Sequence, residues 1–147
     1  MFLGDFQHTL DAKGRVSLPA KFRNQLSGTI VVSKGLEGCL YVYPAEAFQT
    51  WLAGLVQKGN DFDPGSRRVR RFFTSGAIET ELDGAGRVML PPVLRQYAQL
   101  KKEVSITGNG DRIEIWDTNA WAVYNGETTE NIEDATKGLA EKGIGIP

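Results

Sequence analysis

The chain contains one cysteine, one histidine and six prolines in 147 residues. A single thiol, Cys39, excludes an intrachain disulfide framework. A Cys-His or Ser-His-Asp grouping would have to use Cys39 or His8 alone, and nothing around them suggests one. No His, Cys or carboxylate cluster at metal-ligand spacing is present, and Ser33-Lys34-Gly35-Leu36-Glu37-Gly38 lacks the spacing of a phosphate-binding loop. The expectation is therefore a protein that is not an enzyme, with no catalytic residues, metal, cofactor or small-molecule substrate. No apolar run approaches the ~18 residues that span a bilayer. The opening Met1-Phe2-Leu3-Gly4-Asp5 lacks the basic region of a secretory leader. A cytoplasmic location without a membrane partner is expected.

What the chain does have is a folded protein's composition, 41% apolar and 24% charged, with 17 glycines that suit a turn-rich, mainly β chain. Its net charge is −1, unevenly spread. Residues 125–147 hold five acids (Glu127, Glu130, Glu133, Asp134, Glu141) against two bases (Lys137, Lys142), which leaves +2 on residues 1–124. A weakly basic body with an acidic tail is compatible with DNA without requiring it.

An internal repeat dominates the pattern. LDAKGRVSLPAKFR at 10–23 and LDGAGRVMLPPVLR at 82–95 share eight of fourteen residues at an offset of 72. The likeness continues with Cys39 to Pro44 over Arg112 to Asp117, and Phe48 over Trp121. In each copy a short strand (Gln7 to Leu10; Ile78 to Leu82) enters a D-x-x-G-R turn and a second strand leaves it (Arg15 to Leu18; Arg87 to Leu90). Asp11 and Asp83 suit side-chain bonds to turn N–H groups, and Gly14 and Gly86 suit a left-handed residue. Pro19 and Pro91 then open short helices at N1, with Phe22, Leu26, Leu94 and Ala98 facing inward. Alternating runs at 29–33 and 104–107 predict further strands, and Gly108-Asn109-Gly110-Asp111 predicts a hairpin.

Pro44 opens a helix whose face carries Phe48, Trp51, Leu52, Leu55 and Val56. Residues 57–66 read as a linker with Ser66 as N-cap, followed by an Arg-rich amphipathic helix over 67–73 with Val69, Phe72 and Phe73 as its apolar stripe. The organisation expected is a first half at 1–56, a linker and Arg-rich helix at 57–76, a second half at 77–124, and an acidic tail at 125–147 that is a frayed helix or mobile. Each half spans roughly 45 residues, a length at which one core rarely suffices. The two should pair about a pseudo-twofold axis, with apolar surface on Trp51, Phe72 and Phe73 left for further association.

The half-motif D-x-x-G-R-[VI]-x-[IL]-P resembles the DNA-contacting hairpin of the SpoVT-AbrB superfamily of bacterial transition-state regulators. The doubled motif, FLGDFQHTLDAKGRVSLPAKFR, RRFFTSGA at 70–77 and DGAGRVMLPPVLR together are similar to the MraZ family, regulators at the head of division and cell-wall gene clusters. The likeness covers residues 1 to about 124 and leaves the acidic tail outside. It implies an α+β, mainly β fold, a double-split β-barrel made by two AbrB-like halves. It also implies a ring-shaped homo-oligomer, with an octamer as candidate size. The implied partner is double-stranded DNA, read as short direct repeats in the protein's own promoter, usually with repression, at the nucleoid.

The family's D-x-x-x-R positions map onto Asp11 and Arg15, and onto Asp83 and Arg87. Lys13 matches the basic tip residue, which Ala85 replaces in the second copy. Arg15, Arg87 and Lys13 are the DNA-contact candidates, with Arg23 and Arg95 as basic flanks. Each has a plainer reading. An Asp–Arg pair can simply fasten a turn, a tip lysine can be merely solvated, and Arg23 and Arg95 can serve the short helices. The arginines at 67–71 look like a basic patch, yet a solvated or subunit-facing surface paired to Asp61 and Asp63 explains them better. The competing function is an antitoxin-like interaction module on the same scaffold.

Overall fold

The computed structural model describes residues 1–145. The chain divides into a unit at 1–117 and a second beginning at Thr118. In the first, β1 (Asp5–Thr9), β2 (Arg15–Ser17), α1 (Ala20–Arg23), β3 (Ile30–Lys34), β4 (Leu40–Pro44) and α2 (Ala45–Lys58) make one half. After α3 (Pro64–Ser75), the same order returns as β5 (Ile78–Thr80), β6 (Arg87–Met89), α4 (Pro92–Tyr97), β7 (Glu103–Gly108) and β8 (Ile113–Asp117). The class is α+β, with antiparallel sheets and short helices.

Six strands form one sheet in the order β1-β7-β8-β4-β3-β5, and β2 pairs with β6 in a separate two-stranded ribbon. The halves exchange strands. β1 of the first half lies on β7 of the second, with Phe6 opposite Ile106, and β5 of the second lies on β3 of the first, with Ile30 opposite Thr80. Two registers are self-symmetric. Val16 faces Val88 at the centre of the ribbon, and Tyr41 faces Glu114 where β4 meets β8. These are the positions that the repeat superimposes, so the pseudo-twofold axis passes through both pairs.

The core lies where alternation sends the apolar side chains. Val16, Val88, Leu40, Val42, Ile113 and Ile115 are all fully buried, joined by Phe22 and Leu94 from the short helices. Phe2 and Phe6 pack edge-on against Phe22 at 5.5 and 5.3 Å. Pro19 and Pro91 sit one residue outside α1 and α4, because their ψ of 139° and 153° is extended.

On the other face of the sheet Tyr41 and Tyr43 meet Phe48, Trp51 and Phe73 from α2 and α3, with Trp51 and Phe73 centred 4.7 Å apart. Phe73 is thus buried rather than spare apolar surface. Beside them Glu114 accepts from Arg112, Asn109 and Trp116 Nε1, and the Arg112 guanidinium lies 4.0 Å from the Tyr41 ring centre. Burial pushes the Tyr43 hydroxyl up to about 12.

Three expectations are corrected. The linker is shorter than residues 57–66, since α2 runs to Lys58 and α3 starts at Pro64. Its cap is Asp63, whose carboxylate accepts from the Ser66 N–H at 2.8 Å; Ser66 lies inside the helix. Pro at the first helical position, with no N–H to satisfy, favours that start. Val69 is 42% exposed, since it lines only a shallow cleft with Leu55 and Val56 of α2. Of the two alternatives for the acidic tail, a frayed helix or a mobile segment, the structure has helix, in α5 (Thr118–Glu130) and α6 (Ile132–Glu141). Glu133 and Asp134 lie in the first turn of α6, where carboxylates favour the positive end of the helix dipole.

Candidate nucleic-acid interface

The two D-x-x-G-R turns are built alike, bond for bond. Asp11 N–H donates to Arg15 O at 2.8 Å and Gly14 N–H to Asp11 O at 3.0 Å; in the second copy Asp83 and Gly86 repeat this at 2.9 Å each. Gly14 (φ +82°) and Gly86 (φ +76°) take the left-handed residue after the turn. One carboxylate organises each loop. Asp11 accepts from the N–H groups of Lys13 and Arg15 at 2.9 Å and from Arg15 Nε at 2.8 Å. Asp83 accepts from Ala85, Arg87 and Arg87 Nε at the same distances. The N–H of Arg15 or Arg87, more than the guanidinium, holds each carboxyl below its ordinary value.

These geometries combine the two readings of the arginines. Nε fastens the turn, and among the described residues no other group accepts from either guanidinium, so both Nη ends remain available. Strand parity then sets their direction. Val16 and Val88 point into the core, so Arg15 and Ser17 on one strand, with Arg87 and Met89 on the other, line the opposite face of the ribbon. Arg15 faces Met89 and Ser17 faces Arg87. The two arginines are therefore offset by about 7 Å along the ribbon at ~3.4 Å per residue. Ser17 and exposed Met89 belong to this surface too. Sequence reasoning passed over them, although their alternation with Val16 and Val88 was the available signal.

Arg23 and Arg95 lie behind the turns. Arg95 Nε donates to Leu90 O at 2.9 Å, and its guanidinium occupies the space a Cβ on Gly14 would need. Arg23 Nη1 donates to Ala85 O at 3.2 Å and fills the corresponding space at Gly86. Together Lys13, Arg15, Arg23, Arg87 and Arg95 set five cations against Asp11 and Asp83, a local +3 on a chain of net −1. Lys13 is exposed at its tip.

The remaining candidates lie elsewhere. In the Arg-rich segment, Arg70 pairs with Asp61 at 3.0 Å and Arg67 donates to the Asp61 carbonyl, while Asp63 is spent on its cap. Cys39 is buried, its thiol pushed up by desolvation and donating to Leu36 O. His8 is half-buried on β1, and desolvation, then the charge of Arg23, lowers its pKa. Among the described residues no three His, Cys, Asp or Glu form a metal-binding group, and no helix is long and apolar enough to cross a membrane.

The family model described as "MraZ protein, putative antitoxin-like" matches the chain twice, over residues 1–72 and 73–141. The chain belongs to the MraZ family. The second match carries the likeness past residue 124, so α5 and all of α6 are part of the family pattern rather than an appendage. Proteins named "Transcriptional regulator MraZ" are similar along nearly their whole length. That of Moorella thermoacetica is 45% identical over 147 residues, covering 98% of this chain and 97% of the relative. That of Lactiplantibacillus plantarum is 44% identical over 144 residues (96% and 99%), and that of Syntrophomonas wolfei 43% over 148 (98% and 100%).

Proposed function

We propose that this protein is a DNA-binding transcriptional regulator that reads DNA with the outer face of the β2–β6 ribbon. The observation that carries the reading is the matched pair of D-x-x-G-R turns. Each holds an arginine by Nε and leaves its Nη end on one exposed, locally cationic face. A two-stranded ribbon fits the major groove, where an arginine fork can bond guanine O6 and N7. Lys13, lacking a planar fork, suits a phosphate. Membership of a family whose relatives are named transcriptional regulators supports the same reading.

The finer proposal is that the two halves close as a double-split β-barrel and that copies of the chain assemble as a ring, with an octamer as candidate size. Such a ring engages short direct repeats upstream of its own operon in the division and cell-wall cluster, and represses it from the nucleoid in the cytoplasm. One hairpin pair neutralises few phosphates and binds weakly alone. Several identical pairs on one assembly bind repeated boxes with high effective concentration. The test is an anisotropy titration with the DNA upstream of the gene, carrying one, two or three repeats, alongside light scattering. The reading predicts an oligomer and salt-sensitive binding that tightens steeply with repeat number. Absence of salt-sensitive binding to that DNA would favour the antitoxin-like module instead.

A further inference from the structure

We propose that Arg95 and Arg23 are crosswise positioning residues, each holding the other half's D-x-x-G-R turn in its DNA-facing geometry. The inference rests on the DNA-reading proposal for those turns, and goes beyond it by assigning these two arginines to support rather than contact.

The crossing is visible in three places. The Leu90 N–H of the second half donates to the carbonyl of Gly14 in the first turn at 2.8 Å, and Leu18 N–H donates to Gly86 O at 3.1 Å. Arg95 fills the room beside Gly14 that a Cβ would need, with Cζ and Nε both 2.9 Å from that position. Arg23 fills the matching room beside Gly86 and bonds Ala85 O, the carbonyl at the tip of the second turn. Both arginines are anchored by the short helices behind them, whose Phe22 and Leu94 are buried. Each glycine therefore has two reasons to lack a side chain, its positive φ and the arginine packed against it.

The placement argues against free phosphate-binding cations. Both side chains are half-buried, and Arg23 Nε is out of solvent with no acceptor among the described residues. A flat guanidinium can lie under a glycine turn and donate sideways; a lysine ammonium cannot reproduce that plane. A phosphate contact tolerates lysine far better, because a point charge suffices there.

The test uses Arg95→Lys and Arg23→Lys in the full-length assembled protein, with Arg95→Met and Arg23→Met as second variants that keep the apolar stem. Hydrogen exchange is followed first, without DNA. Arg95 variants should accelerate amide exchange several-fold in residues 12–15 and leave residues 84–87 at the parent rate; Arg23 variants should do the reverse. Acceleration within the variant's own half, or in neither turn, overturns the proposal. DNA titrations follow. Arg95→Lys should weaken binding about tenfold, and that loss should vanish when Arg15 and Lys13 are already alanine yet persist in an Arg87→Ala background. Parent-like binding by Arg95→Lys would make Arg95 a phosphate contact and overturn the brace. A crosswise exchange pattern in a protein that binds no upstream DNA would uphold the brace and sink the DNA reading alone.

Discussion

Asp11 and Asp83 each satisfy two backbone N–H groups and one guanidinium N–H with a single carboxylate. The charged form makes these bonds, so both carboxyls are held below the ordinary 3.8. A lowered folded-state pKa means the unfolded chain takes up protons first. The stabilisation from these turns is therefore complete above about 3.8 and is lost as pH falls through the depressed folded value. His8 has the same sign for a different reason, since burial and Arg23 oppose its protonation in the folded state, and its contribution declines as pH falls below about 6.5. Thermal unfolding across pH should thus show two regions of falling stability. His8→Gln should flatten the upper one, and Asp11→Asn with Asp83→Asn should flatten the lower. An unchanged lower region in the double Asn variant would show that the carboxylates do not organise the turns.

At the scale of elements, the ribbon is the joint between the halves. Leu18 and Leu90 follow its strands, are buried, and donate their N–H groups to the opposite turn's glycine. Leu18→Ala or Leu90→Ala should each cost about 2–5 kcal/mol, the range for emptying a well-packed leucine site. Urea unfolding should remain one transition for 1–117, because β1 and β5 each pair with a strand of the other half in a single six-stranded sheet. Two separated transitions would contradict the exchange. Much of this was legible in the sequence. The repeat located both turns, and the residue types Asp, Gly and Arg at fixed spacing specified their bonds. Alternation around Val16 and Val88 carried the core side of the ribbon as a signal that went unread. The exchange of β1 and β5 was not legible, because strand partners far apart in sequence leave no local periodicity. For the tail the sequence left a frayed helix and a mobile segment both open, because few apolar residues mark a period in α5. The backing of Gly14 by Arg95 was likewise hidden. It depends on the fold bringing residues of opposite halves together, and Arg95 in isolation reads as another surface cation.

For the whole molecule, a net charge of −1 hides an organised distribution. The ribbon and its supports carry +3, while α5 and α6 carry all five acidic residues of 125–147. Net charge alone would have argued against DNA; the placement of charge argues for it. The central claim is that the outer face of the ribbon reads DNA, and salt-dependent titration of parent, Lys13→Ala, Arg15→Ala and Arg87→Ala proteins on upstream and scrambled DNA tests it most directly. Lys13→Ala should weaken binding alike on both DNAs and lower the salt slope by about one contact. Arg15→Ala should cost ~1–3 kcal/mol on the upstream DNA and much less on the scrambled one, with Arg87→Ala following the same pattern more weakly. If Arg15→Ala folds, assembles and binds upstream DNA like the parent, the ribbon is not the DNA-reading element.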